Sequence, residues 1–263
     1  MPPTAETRTH RLTRKHDITF EKSGLQEDKM AARKKSDPLQ DLFEAIKRSD
    51  IEFVKAAMRE HPEFLNMPAP KRPLDTRYMS PLQVALCTGF HKEIVEFLLD
   101  CGADVNYCAK ETDSGLYPVL FDFVDAAIWN SRRWEWDGKM TEPLNMVWKH
   151  NAEEADYAFA LLKRVIEAGA DVNAVDSYGR NSLMEAVGEA NRLCPIRNDE
   201  GGFYPGRKVT DEMKSDFRRI FQLLIDSGAD RNNVSSFSKM SIKQHHENES
   251  VWQICADMFS DAD

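Results

Sequence analysis

An all-α solenoid of stacked helix pairs is the fold class this sequence predicts, and three observations predict it. A signature recurs at Cys101-Gly102-Ala103-Asp104-Val105-Asn106, Ala168-Gly169-Ala170-Asp171-Val172-Asn173 and Ser227-Gly228-Ala229-Asp230-Arg231-Asn232. Before each Gly, at eight, seven, four and three residues, stand apolar side chains: Ile94, Val95, Leu98, Leu99; Leu161, Leu162, Val165, Ile166; Ile220, Phe221, Leu224, Ile225. That is one helical face written three times. A shorter element opens each unit: Ser80-Pro81-Leu82-Gln83-Val84-Ala85, Tyr117-Pro118-Val119-Leu120, and weaker forms at Asn181-Ser182-Leu183-Met184-Glu185-Ala186 and Met240-Ser241-Ile242. Elements recurring in fixed order mark a repeat architecture, in which a unit buries its apolar face only against its neighbours.

Taken in order, Leu39, Leu42, Phe43 and Ile46 form one helical stripe and Ile51, Val54, Ala57 and Met58 the next. They predict a first unit that ends at Pro62-Glu63-Phe64-Leu65-Asn66 without a closing Gly. Met67-Pro68-Ala69-Pro70-Lys71-Arg72-Pro73 follows as a linker whose prolines favour an extended path. In the middle units Pro at the first helical turn is harmless, because that N–H has no intrahelical partner. The Gly of each signature suits a left-handed position that ends the longer helix. Val251, Ile254, Cys255 and Met258 make a closing helix, with Lys243, Gln244 and Glu247 as its polar surroundings. Five units result.

These motifs resemble the ankyrin repeat. The opening Ser-Pro-Leu-Gln-Val-Ala at 80–85 is close to that family's Thr-Pro-Leu-His-x-Ala, and Gly-Ala-Asp-Val-Asn occurs twice intact and once with Arg231 in place of Val. The resemblance runs over residues 37–263 and implies an ankyrin-repeat solenoid with short hairpin-like links. It also implies protein recognition through the links and first helices, where Tyr78, Met79, Tyr107, Leu116, Tyr117, Ser177, Tyr178 and Arg180 lie.

The spacing of openings shows where the chain departs from a regular period. Pro81 to Pro118 is 37 residues, Pro118 to Ser182 is 64 and Ser182 to Ser241 is 59. Two insertions, near 129–152 and 194–210, therefore separate the first and second helices of consecutive units. Four of the five tryptophans fall in the first: Trp129, Trp134, Trp136 and Trp148. Trp134-Glu135-Trp136 alternates, and Asp137-Gly138 suits a two-residue hairpin turn. In a strand Trp134 and Trp136 share a face. Asn151 stands three residues before Glu154, a helix-capping spacing. The second insertion carries Phe203, Tyr204 and several Gly and Pro. Both emerge from the same place in neighbouring units and so emerge side by side.

Charge is unevenly distributed. The chain holds 35 Lys plus Arg and 44 Asp plus Glu in 263 residues. Residues 1–36 carry a net +4 and lack any apolar period, which predicts a disordered basic arm; the remainder carries −13. Met30, ahead of Ala31-Ala32-Arg33-Lys34-Lys35, is an alternative start. An acidic body argues against nucleic-acid binding and favours a basic or mixed-charge protein partner. No apolar run long enough for a membrane span or secretory signal is present, and the five cysteines form no CxxC pair, so a reducing, cytoplasmic setting is expected.

Signatures of catalysis are lacking: no Walker A, no Gly-x-Ser-x-Gly, no His-Glu-x-x-His. His245 and His246 are adjacent, so on a helix they diverge. No metal ligand set or cofactor is expected. The leading reading is a non-enzymatic adaptor or scaffold. Its candidate binding residues are Arg133, Trp134, Trp136, Phe203, Tyr204, Tyr78, Tyr117, Tyr178 and Arg180, since Trp, Tyr and Arg dominate binding hot spots. The alternative is a dedicated inhibitor or immunity-type protein that occludes one enzyme or toxin, for which the paired insertions speak. An enzyme with its site in the insertions ranks third.

Overall fold

A computed structural model describes residues 37–72, 76–108, 117–139, 146–195 and 208–259. The predicted arm, 1–36, and the centre of the second insertion, with Phe203 and Tyr204, lie outside the described residues.

The described chain is mainly helical. Helices α1 (Pro38–Lys47) and α2 (Ile51–Glu60) lead into a 3-10 turn, Pro62–Asn66. Next come α3 (Pro81–Cys87), α4 (Lys92–Asp100) and α5 (Val119–Trp129). A two-stranded hairpin, β1 (Arg133–Trp136) and β2 (Met146–Lys149), then precedes α6 (Ala152–Glu167). Helices α7 (Ser182–Leu193), α8 (Asp211–Asp226), α9 (Ile242–His246) and α10 (Trp252–Cys255) complete the series, closed by a 3-10 turn at Ala256–Phe259.

Each start has a local cause. Ser80 and Ser241 make reciprocal capping boxes with Gln83 and Gln244. Asp37, Asp50, Asn151, Asn181 and Thr210 each accept a first-turn N–H on their side chains. Each stop is equally local. Gly102, Gly169 and Gly228 have φ of 84°, 95° and 90°, the left-handed conformation expected of them. The N–H after each reaches back to Leu98, Val165 or Leu224 and satisfies a helix-end carbonyl.

The recurring signature also joins neighbours. Asp104, Asp171 and Asp230 each accept the N–H two residues on, which shapes the turn. The Asn ending one unit then grips the signature of the next. Asn106 donates to the Gly169 carbonyl (2.9 Å) and accepts from the Asp171 N–H (2.7 Å). Asn173 does the same to Gly228 and Asp230, each at 2.8 Å. Asn66 accepts from the Asp104 N–H at 2.8 Å, so the first unit is tied in although it lacks the Gly.

Helices α1, α3, α5 and α7 touch in chain order; α2 touches α4, and α6 touches α8. Helix α5 contacts α3, α6, α7 and α8, which explains why it is apolar nearly all round and buried from Val119 to Val124. Phe121, Phe123, Phe217 and Phe221 are among its largest fully buried neighbours and members, within a core running from Leu42 to Met258. Two expectations need amending. The hairpin register pairs Trp136 with Met146, so the connection spans 137–145 and Asp137-Gly138 is its beginning rather than a two-residue turn. The proline linker is less independent than expected: Ala69 exchanges both backbone hydrogen bonds with the 78–79 segment.

Candidate functional site

The first insertion is fastened to the helices by its own aromatic and basic residues. Arg132 makes a bidentate pair with Asp216 of α8, Nε and Nη2 each at 2.9 Å, and its backbone N–H adds a third bond. Asp216 is wholly buried. Trp134 opposes Trp148 across the hairpin, rings edge-on at 5.2 Å, and its indole N–H donates to the Lys208 carbonyl at 3.0 Å. That bond joins the hairpin to the backbone just ahead of α8. Arg133, a binding candidate from sequence, is only 8% exposed. Its guanidinium lies 5.7 Å from the Trp129 ring and pairs with Glu135 at 3.1 Å. Burial lowers its proton affinity and Glu135 partly restores it. Trp136 is fixed by its backbone pairing, while its side chain lies outside the described residues, as do Phe203 and Tyr204.

The links divide into closed and open ones. Tyr78 takes a positive φ of 61°, and its carbonyl accepts the Tyr107 hydroxyl at 2.7 Å. Met79 is buried and belongs to the core. Tyr117 turns inward: its hydroxyl donates to Asp125 at 2.8 Å and lies 3.3 Å from Glu185. Tyr178 turns outward, 45% exposed, with its ring edge-on to Phe237 at 5.5 Å. The Arg180 guanidinium stands 5.7 Å from the Tyr178 ring and is held between Asp176 and Glu185, each at 2.6 Å.

Val175 and Tyr178 in one link occupy the places of Val234 and Phe237 in the next. All four are exposed, Phe237 most of all at 66%. The two links are bolted together beneath these side chains. Ser235 Oγ donates to the Tyr178 carbonyl at 2.8 Å and Asn233 to the Gly179 carbonyl at 3.0 Å. Gly179 has φ +69° and sits so close to Ser236 that an added Cβ would meet its backbone N at 2.7 Å. The result is a rigid, two-link apolar patch rimmed by Arg180. Its repetition is legible in the sequence at 175–180 and 234–239, where Tyr178 and Arg180 are the residues expected to bind.

Sequence reasoning missed a second feature entirely. Asp122 and Asp125 on α5 face Glu185 and Glu189 on α7. Gln83 of α3 donates to Asp122 at 3.0 Å. The Trp129 indole N–H donates to Glu189 at 3.0 Å, and Arg192 reaches both Glu189 oxygens at 2.9 and 3.2 Å. One carboxylate oxygen from each of Asp125, Glu185 and Glu189 lies within 4.8 Å of the other two. Burial, then Glu185 and Glu189, push the Asp125 carboxyl well above the ordinary carboxylate range, against the Tyr117 hydrogen bond. This trio is where the described residues bring metal-ligating groups together.

Burial pushes the Cys194 and Cys255 thiols up to about 12, which keeps them protonated and unreactive. None of the five cysteines forms a disulfide. Among the described residues no helix is long and apolar enough to cross a membrane.

No curated protein matches the chain in sequence. The family model for the ankyrin repeat matches residues 77–110, the stretch holding α3, α4 and the first Gly-Ala-Asp-Val-Asn signature. Ankyrin repeats generally mediate protein–protein interaction. With its helix pair, its Gly stop and that match together, residues 77–110 of this chain are an ankyrin repeat.

Proposed function

We propose that residues 37–263 form an ankyrin solenoid of five repeats, two of them carrying insertions, whose task is to bind a protein partner without catalysis. The observation that carries this reading is the repeated, exposed apolar pair: Val175 with Tyr178, Val234 with Phe237. Four large apolar side chains in the open on two locked links lose little conformational freedom on binding, so more of their burial appears as affinity. Arg180, held by Asp176 and Glu185, stiffens the rim beside the Tyr178 ring. Trp136, Phe203 and Tyr204 remain candidate contributors from the insertions. Arg133 and Trp134 act at one remove, by holding the hairpin against Trp129 and the Lys208 backbone. The acidic body favours a basic or mixed-charge partner through encounter rate more than affinity. The cytoplasm is the expected setting, in keeping with five cysteines outside any disulfide.

The test begins with cross-linked capture from source lysate, then purification of the captured protein and titration against it. Tyr178→Ala with Phe237→Ala, checked for folding by circular dichroism, is expected to weaken binding by a factor of about 30 or more, the scale of a hot-spot pair. Equal affinity for the folded double variant and the intact chain would sink the proposal. Adaptor and inhibitor separate on the partner's own activity, unchanged in the first case and abolished stoichiometrically in the second.

A further inference from the structure

Carboxylates gather where α5, α7 and the link before α7 meet. Asp122, Asp125, Asp176, Glu185 and Glu189 are five acids, and two guanidiniums are bonded among them. Arg180 is divided between Asp176 and Glu185, and Arg192 lies on Glu189. No ion pair reaches Asp125 among the described residues. Its Oδ2 accepts the Tyr117 hydroxyl, but its Oδ1 is buried and accepts no hydrogen bond. A sealed carboxylate oxygen without a partner is costly, and three carboxylates drawn together add repulsion to that cost.

We propose that Asp125, Glu185 and Glu189 form a binding site for a hard divalent cation of the calcium or manganese class. The spacing suits it. A cation at roughly 2.4 Å from each of three oxygens spreads them to about 4.2 Å apart when it lies in their plane, and the three oxygens here all lie within 4.8 Å of one another, so a closure of roughly 0.6 Å at most brings them to that spacing. The donors suit it as well: three carboxylates with no His or Cys among them select a hard ion over zinc or copper. Burial favours a small ion over a lysine from a partner. Asp125 keeps some exposed surface, yet its Oδ1 is sealed, and Glu185 and Glu189 are 1% and 6% exposed. Arg180 pairs with Glu185 and Arg192 with Glu189, which holds both glutamates in place, as outer partners do for metal ligands. The ion lowers the net charge of the cluster and gives Asp125 Oδ1 a partner. Bound there, it ties α5 to α7.

The probe is Mn2+ alone, added to the full-length chain and followed by electron paramagnetic resonance and by the indole N–H resonances. Trp129 donates its indole proton to Glu189, so an ion in the site broadens that resonance at substoichiometric Mn2+. Expected are saturable one-to-one binding, early loss of the Trp129 signal, its recovery with excess Ca2+, and binding weakened about tenfold or more in Asp125→Asn. Should that variant fail to fold, Glu189→Gln carries the same expectation, and the Trp129 readout in the unaltered chain needs no variant. The inference is overturned if no saturable binding appears by about 1 mM Mn2+, the weak end of protein calcium sites. It is equally overturned if Trp129 is untouched, or if folded variants bind as the parent does. Stabilisation by Asp125→Asn in a chain that binds no ion would mean the trio holds a proton instead.

Discussion

Replacing Arg132 by Ala is the sharpest test of how the hairpin is held. The side chain makes two charged hydrogen bonds to Asp216, each at 2.9 Å, and Asp216 has no exposed surface. Hydrogen bonds to charged groups contribute about 1.5–3 kcal/mol each, and stranding a buried charge costs about 3–5 kcal/mol. Two features reduce that figure. The Arg132 backbone N–H still donates to Asp216, and Arg219 stands 3.2 Å away as a second cation. The side chain of Arg132 is also about one quarter exposed, so water screens part of the pair. The net loss is therefore about 2–3 kcal/mol. Urea unfolding of Arg132→Ala, Asp216→Ala and the double variant measures it, and the cycle isolates the coupling. Coupling below about 0.5 kcal/mol would refute the claim that this pair anchors the hairpin, since that is the range of ordinary exposed pairs. The Trp134 fluorescence should shift toward that of exposed tryptophan in Arg132→Ala before global unfolding begins.

Gly179→Ala should cost about 2–4 kcal/mol, combining left-handed strain with the forced displacement of Ser236, whereas Gly138→Ala, at φ +83° with open space around it, should cost only about 1–2 kcal/mol; thermal unfolding of both distinguishes the terms, and equal losses would show that the close link-to-link approach is unimportant. Stability should also fall as pH drops from 6.5 towards 4. Burial, then the charge of His245, lowers His246 from 6.5 to about 4, and its Nδ1 is buried without a hydrogen bond. The unfolded chain binds the proton first, so acid favours unfolding across that window. The effect is about 3 kcal/mol at most, less the screening of a partly exposed ring. His246→Gln should flatten the profile between those pH values, and an unchanged slope would exclude His246 as its source.

Much of this architecture was legible because its causes are local. The stripes ending at Leu99, Ile166 and Ile225, the Gly stops and the caps at Asn151 and Ser80 depend on a few consecutive residues each. The site residues depended on things further off. Composition alone marks Arg133 and Trp134 as binding anchors, yet Arg133 is spent on Trp129 and Glu135 within the same segment and Trp134 on the Lys208 carbonyl, 74 residues on. The acids of α5 had a signal of their own. Asp122 and Asp125 lie three apart in the otherwise apolar Val119–Trp129, and Glu185 and Glu189 lie four apart on α7, so each pair defines a helix face. What the chain order does not convey is that these two faces meet. That follows from α5 and α7 lying side by side across an intervening hairpin and helix.

The asparagine grip described between units has a consequence for how such a chain can change length. Asn66, Asn106 and Asn173 each reach forward to backbone groups rather than side chains of the following signature. The seam is therefore indifferent to which unit comes next, provided that unit brings a Gly-Ala-Asp turn. A duplication or deletion whose boundaries fall at equivalent asparagines preserves every seam; one out of phase leaves amide and carbonyl groups with no mate. The first insertion obeys the same rule. The hairpin sits between α5 and α6, away from the seams, which is where a unit can gain residues without its neighbours losing their hold.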